Sequence, residues 1–419
     1  MTKKKIYFPK VNDVQKAREK LQDIVINTPL VKNINLSDRY KANILLKRED
    51  LQIVRSYKIR GAYNKISSIA QNKLKNGIVC ASAGNHAQGV AYSCNRLKIK
   101  GTVFMPSPTP SQKIKQVKMF GKEFIEIVLI GDTFDEAFTA SMKYCDAHKS
   151  NFIHPFDDPL VIEGQATIAL DILLETKEHI DYVFIPIGGG GLASGIGSVF
   201  KNISPETKII GVEPMGAPSM QKAFETGKVV TLQNIDKFID GAAVQRTGEL
   251  TFGICKQVLD DLILIPEGKV CTTILQLYNE EAIVVEPAGA LSITALDFYK
   301  DKIKGKTVIC IVSGSNNDIV RTEEIRERSL LFEGLKHYFI VRFPQRAGAL
   351  REFLDVLGPN DDITHFQYMK KNNREYGPAV IGIELQKKED FEPLIQNMTT
   401  KKMVFDHLNE KPDLFQFLI

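Results

Sequence analysis

The chain has 419 residues, enough for about two to four domains, and its 43% apolar and 25% charged residues are those of an ordinary globular protein. A net charge of +5 set against 55 basic and 50 acidic side chains leaves no basic excess of the kind that marks a nucleic-acid binder. No apolar run approaches the ~20 residues of a membrane span, residues 1–10 lack the apolar core of a signal peptide, and Cys80, Cys94, Cys145, Cys255, Cys271 and Cys310 form no CxxC pair, so a cytoplasmic protein with reduced thiols is expected.

In chain order, Asn12 and Gln15 read as a capping box opening a helix through Ile26, which stops before Thr28-Pro29. An extended stretch over residues 42–47 leads to Arg55-Ser56-Tyr57-Lys58-Ile59-Arg60-Gly61-Ala62. Ala62, Ile66, Ile69 and Ala70 recur at helical spacing, which places Lys58 at the start of a helix anchored by an apolar face. A solvated lysine, with a pKa of about 10.4, is a poor nucleophile at neutral pH, whereas a desolvated one forms a Schiff base with a carbonyl compound. An apolar run over 77–81 passes into Ser82-Ala83-Gly84-Asn85-His86 and a helix over 90–97. A run over 101–105, a turn with Pro106, Pro108 and Pro110, a helix over 111–120 and a run over 123–129 continue the alternation, which predicts βαβ units and a parallel sheet.

The alternation resumes at 181–187, followed by Gly188, Gly189, Gly190 and Gly191, a helix over 192–201 and a strand over 208–212. A helix over 272–282, the segment Glu286-Pro287-Ala288-Gly289, a helix over 290–299 and a strand over 306–312 ending in Ser313-Gly314-Ser315-Asn316 come next. The charged run 321–328, alternating in sign, is expected to close this part as a solvated helix. Beyond Gly334 the pattern changes to strands over 337–343, 363–369 and 379–385 with helices over 346–357 and 390–398, the signature of a small α+β domain. The domains are therefore set at 1–329 and 330–419.

Four glycines between a strand and a helix present backbone N–H groups and a helix N-terminus to an anion, a phosphate cradle, and the missing Gly-Lys-Ser/Thr argues against a nucleotide-hydrolysing loop. Gly188-x-Gly190-x-x-Ala193 with Glu213 downstream also fits a loose dinucleotide pattern, so a nicotinamide-dependent oxidoreductase stays as an alternative. Ser82 to His86 lie at a strand end where free amides can hold a carboxylate and Asn85 can donate to a phenolate-like oxygen; taken alone they make a helix cap, with His86 a packing residue. Ser313 ends another strand. An amine, a phosphate cradle and two polar strand ends are together what a lysine-tethered pyridoxal phosphate needs. A non-catalytic amino-acid sensor is a third possibility.

On these motifs, with Glu49-Asp50-Leu51-Gln52 added, nearly the whole chain resembles the biosynthetic threonine dehydratases, in the pyridoxal-phosphate group that includes serine racemase and the tryptophan synthase β subunit. The resemblance implies an α/β protein of pyridoxal-phosphate fold type II, with two subdomains on parallel or mixed sheets, about residues 50–155 forming the smaller one, and a C-terminal ACT-like α+β domain. It implies that Lys58 carries the cofactor and removes the Cα proton, that Asn85 bonds the ring hydroxyl, that Gly188, Gly189, Gly190 and Gly191 hold the phosphate, and that Ser313 faces the pyridine nitrogen. Ser82, Ala83, Gly84, Asn85 and His86 would clasp the substrate carboxylate. The implied reaction is elimination and deamination of L-threonine, and of L-serine, to 2-oxobutanoate or pyruvate and ammonia, the first step of isoleucine biosynthesis. Similar racemases carry a serine where Ala83 stands, so a serine racemase or serine dehydratase is the alternative within the group. Some relatives bind a cation near a segment like Glu213 to Ser219, but Ser219 replaces their acid and no metal is expected. Arg346-Ala347-Gly348-Ala349-Leu350 resembles the first strand-to-helix turn of an ACT-like regulatory domain, which implies isoleucine as inhibitor, valine as a candidate opposing effector, and a homotetramer with no nucleic-acid or membrane partner.

Overall fold

A computed structural model describes residues 7–368 and 375–411, and the chain divides after Asp318 into two units. In the first, α1 (Val11–Leu21) buries Val14, Ala17 and Leu21 and stops short of the expected Ile26. Its N-cap is Lys10, without a side-chain cap, so Asn12 and Gln15 lie inside the helix and form no capping box. After β1 (Leu30–Lys32), α2 (Ile34–Tyr40) and β2 (Asn43–Arg48) comes α3 (Lys58–Ser67), which buries Ile59, Ala62 and Ile66. Ile69 and Ala70 fall past its end, at the approach to the short α4 (Gln71–Leu74).

The smaller subdomain is built from β3 (Ile78–Ala81), α5 (Asn85–Leu97), β4 (Gly101–Met105), α6 (Ser111–Gly121), β5 (Ile125–Leu129), α7 (Phe134–His148) and β6 (Asn151–Phe152). Its four strands are all parallel, in the order β5-β4-β3-β6. Cys80, Val103 and Met105 pack on α5 and α6, while Val79, Ala81 and Phe104 pack on the face of α7, so both sides are covered as a parallel sheet requires.

The chain then forms α8 (Pro159–Glu175), β7 (Tyr182–Pro186), α9 (Gly191–Ile203), β8 (Lys208–Pro214), α10 (Ser219–Thr226), α11 (Glu249–Val258), β9 (Asp261–Ile265), α12 (Glu267–Glu281), α13 (Pro287–Thr294), α14 (Leu296–Tyr299) and β10 (Thr307–Val312). Six strands line up as β1-β2-β10-β7-β8-β9, with β1 antiparallel to β2 and every other pair parallel. The helix α8 runs through the middle of the unit. It is buried on almost every side and so has no amphipathic period to read in the sequence. Its contact with α3 is close because of glycine: a Cβ on Gly61 would lie 2.4 Å from Gln165 Nε2, and one on Gly164 would lie 2.6 Å from the Arg60 carbonyl oxygen. No helix among the described residues is long and apolar enough to cross a membrane.

The second unit contains α15 (Thr322–Phe332), β11 (Lys336–Pro344), α16 (Ala349–Leu354), β12 (Asp362–Tyr368), β13 (Tyr376–Glu384), α17 (Phe391–Thr400) and β14 (Val404–His407). The antiparallel sheet runs β12-β13-β11-β14, and Phe353, Leu394 and Met398 of the helices pack on Phe339, Val341, Ile381 and Ile383. The helix expected to close the first part, α15, belongs here instead, because Arg326 pairs with Glu384 at 2.6 Å and the Tyr338 hydroxyl donates to Glu327 at 2.7 Å. Met369, the last residue of the strand expected over 363–369, lies outside the described residues.

Candidate active site

Lys58 begins α3 because the segment ahead of it is held on the end of β10. Ser56 pairs with Gly314 in an antiparallel bridge, the Tyr57 N–H donates to the Ser313 carbonyl at 3.2 Å, and the Ser315 N–H donates to the Arg55 carbonyl at 2.9 Å. Arg55 takes a left-handed φ of 58° to make this turn. The half-buried Lys58 side chain donates from Nζ to the Pro155 carbonyl at 2.9 Å, and no carboxylate lies within ion-pair distance of it among the described residues. Burial among protein atoms brings its ammonium down to about 8, with the charge of Glu286 opposing the shift.

Pro155 is followed by Phe156, whose ring lies against the glycine loop. A Cβ on Gly189 would meet that ring at 2.3 Å, and Gly190 adopts a φ of 89° as the N-cap of α9. Among the described residues the N–H groups of Gly188, Gly189, Gly190 and Gly191 donate to no acceptor, and they lie at the head of α9. Asp157 helps seat the loop by accepting the Leu250 and Thr251 N–H groups, each at 3.0 Å, at the start of α11, while the Thr251 hydroxyl donates to the Gly189 carbonyl at 2.6 Å.

At the end of β3, the Ser82 N–H extends the ladder to the Phe104 carbonyl at 3.1 Å, and its hydroxyl accepts the Gly84 N–H at 3.2 Å. A Cβ on Gly84 would meet nothing within 4 Å, so this turn faces open space. Ala83 is half-buried against the smaller core. The Asn85 Nδ2 donates to Glu286 Oε1 at 2.6 Å, and its Oδ1 accepts from Asn316 Nδ2 at 2.6 Å. His86 points into the protein: its Nε2 pairs with the Ile153 carbonyl at 2.9 Å, and burial followed by the nearby Lys58 charge pushes it down to about 3, so the ring is neutral. The Ser313 hydroxyl is buried and donates to the Ala288 carbonyl at 3.3 Å.

The expected residues thus meet through shared neighbours. Lys58 reaches the glycine loop by way of Pro155 and Phe156, reaches Ser313 through Tyr57, and reaches Asn85 through Gly89, where a Cβ would sit 3.1 Å from the Lys58 carbonyl carbon. Sequence reasoning missed Glu286 as a partner of Asn85, since 201 positions separate them and no local signal joins them. It also missed the segment that carries Gly241 and Ala242, which packs on Ala288 and on Gly188. Glu213 has a different task from ribose binding. It is fully buried and accepts the Met220 and Gln221 N–H groups at 2.7 and 2.9 Å as the cap of α10, and burial raises its carboxyl to about 8. Among the described residues no cluster of three His, Cys, Asp or Glu side chains could hold a metal.

An unpaired amine, four free N–H groups for a phosphate, an amide donor and a strand-end hydroxyl fit pyridoxal phosphate. Residues 21–314 match the family described as pyridoxal-phosphate dependent enzyme, and residues 327–418 match the C-terminal regulatory domain of threonine dehydratase. The chain is 57% identical over 98% of its length to a biosynthetic L-threonine dehydratase of Halalkalibacterium halodurans, 99% of which is covered, and 58% identical over 98% of its length to that of Bacillus subtilis, 97% of which is covered. Among solved structures it is similar to the processed form of threonine deaminase isoform 2 from Solanum lycopersicum, with 40% identity, a TM-score of 0.73 and coverage of 78% of this chain and 91% of that one. It is similar also to maize serine racemase, with 27% identity, a TM-score of 0.72 and coverage of 77% and 98%.

Proposed function

The chain belongs to the pyridoxal-phosphate dependent enzymes and, within them, to the biosynthetic threonine dehydratases, and on that premise we propose that it removes the β-hydroxyl and the amino group of L-threonine, and of L-serine, to give 2-oxobutanoate or pyruvate and ammonia. The observation that carries the proposal is the desolvated Lys58 amine, bonded to the Pro155 carbonyl next to the Phe156 ring that lies on the glycine loop, whose four N–H groups have no acceptor among the described residues. Pyridoxal phosphate, when bound, supplies the electron sink for the bond broken at Cα.

The chain's own residues do the rest. Lys58 Nζ, held below its ordinary pKa, would tether the cofactor and would serve as the base for the Cα proton. Gly188 to Gly191 and the head of α9 hold the phosphate, and the free amides at the start of α5 orient the substrate carboxylate from Ser82, Ala83, Gly84, Asn85 and His86. Asn85 keeps one Nδ2 proton for the ring oxygen. Ser313 offers a neutral hydroxyl at the ring nitrogen, so that nitrogen is not held protonated by a carboxylate and elimination is favoured over transamination. Ala83 has no proton to give to the face of Cα away from Lys58, which disfavours racemisation. The buried, capping Glu213 weighs against a nicotinamide dinucleotide. The absorption spectrum of the purified protein tests the proposal: a pyridoxal-phosphate band that Lys58→Ala abolishes, together with 2-oxobutanoate formed from threonine, is expected, and a protein that stays colourless with added cofactor would rule it out.

We assign catalysis to the first unit and regulation to the second, with isoleucine as the inhibitor, valine as a candidate opposing effector, and a cytoplasmic homotetramer as the working state. The match of residues 327–418 to a threonine dehydratase regulatory domain supports the assignment. Such control requires isoleucine to bind two states with affinities differing by about 5- to 150-fold. A chain cut after Asp318 is expected to keep its cofactor and lose the inhibition. Undiminished inhibition of a folded truncated chain would remove the second unit from this role.

A further inference from the structure

Glu286 is buried, 4% exposed, as the N-cap of α13, and none of the roles above uses it. Its Oε1 accepts the Asn85 Nδ2 proton at 2.6 Å, and the Asn316 backbone N–H faces the same carboxylate. At the other end of the Asn85 carboxamide, Oδ1 accepts from Asn316 Nδ2 at 2.6 Å, and that nitrogen's second proton goes to the Val54 carbonyl at 2.9 Å. Asn85 is therefore clamped between a donor at its oxygen and an acceptor-only group at its nitrogen. A flip of the amide would set N–H against N–H and oxygen against carboxylate, losing both bonds. Two glycines clear the space for the carboxylate: a Cβ on Gly314 would lie 2.5 Å from Oε1, and one on Gly241 would lie 3.2 Å from it.

We propose that Glu286 is the positioning residue of this site: it holds the Asn85 carboxamide in one orientation, leaving a single N–H for the cofactor's ring oxygen. The inference rests on the roles of Lys58 and Asn85 proposed above. Lys58, Tyr57, Asp240 and Lys113 are the other ionisable groups whose charges couple to Glu286. Burial, then Asp240, raises the Glu286 carboxyl to about 7 against the hydrogen bond from Asn85, so the negative charge is present above neutrality and fades below it.

The test compares Glu286→Gln, Glu286→Ala, Asn85→Ala and the double Asn85→Ala/Glu286→Ala variant as full-length holoenzymes, with circular dichroism confirming the fold. Two quantities are read: the dissociation constant for pyridoxal phosphate and the deamination rate. Glu286→Ala is expected to weaken the cofactor by about 10-fold, and the double variant to be no weaker than Asn85→Ala, because both changes remove one interaction. Glu286→Gln retains an acceptor for Asn85 and should hold cofactor within about 3-fold of wild type. Effects of Asn85→Ala and Glu286→Ala that multiply would overturn the positioning role, and so would a cofactor affinity in Glu286→Gln as weak as in Glu286→Ala. Should Glu286→Ala fail to fold, Glu286→Gln decides in its place, a loss of cofactor affinity beyond about 10-fold counting against the proposal. Lys58→Ala run alongside separates the two levels: a cofactor band that survives it refutes the assignment of Lys58 and not the geometry of Glu286.

Discussion

Lys58 and Arg60 stand two residues apart on the first turn of α3, and their surroundings are opposite. Arg60, 1% exposed, reaches both Glu49 oxygens at 2.8 Å, Asp171 at 2.8 Å and the Thr167 hydroxyl at 3.0 Å, and Arg18 completes the Asp171 side at 2.7 Å. Burial opposes its charge, but Glu49 and Asp171 outweigh burial and hold the guanidinium firmly protonated. Lys58 donates to the Pro155 carbonyl and lies over the Tyr57 ring, with no carboxylate in ion-pair reach among the described residues, and burial wins. The same helix turn thus ties α3 to α8 with a neutralised cation and carries a second cation that burial leaves less firmly protonated. A buried cation with its carboxylates is architecture; one without them is available for chemistry.

The sharpest way to break this comparison is to remove each cation in turn. Lys58→Ala is expected to lower the deamination rate by more than about 10³-fold without lowering the urea midpoint of the cofactor-free protein. Arg60→Met should do the reverse, costing about 3–5 kcal/mol of stability because Glu49 and Asp171 stay buried without their partner, while the rate per folded molecule stays close to wild type. Arg60→Met as stable as wild type would show that the network is ornamental. A smaller effect is expected at the loop that Lys58 faces: in Gly189→Ala the new Cβ collides with Phe156 at 2.3 Å, so cofactor affinity, followed by equilibrium titration, should fall by about 10- to 100-fold. The smallest effect concerns pH. In the cofactor-free protein the Lys58 pKa is lowered from 10.5 to about 8, so the unfolded chain binds the extra proton between those values and stability rises with pH across that window, the penalty being fully present below it. Lys58→Met should flatten the rise in urea midpoint between pH 8 and 10.5, and an unchanged slope would mean that the amine is not desolvated.

The alternation of short apolar runs with helices is local, and it was enough to announce parallel sheets, the glycine loop at the head of α9, the position of Lys58 at the head of α3 and a separate α+β tail. Side-chain period and turn chemistry act over a few residues, so these features can be read from the order of residues alone. The helix α8 escaped because a segment buried all round has no polar face to set its period. The charge states escaped for a different reason. Whether a lysine stays an ordinary cation depends on which carboxylates arrive beside it from distant segments, as Asp171 reaches Arg60 across 111 positions and Glu286 reaches Asn85 across 201. Glu213 likewise keeps the spacing of a ribose ligand and becomes a helix cap only when α10 folds over it. The order of residues determined which groups could react; desolvation and partner charge, which exist only once the chain is packed, set the lowered Lys58 apart from the firmly protonated Arg60.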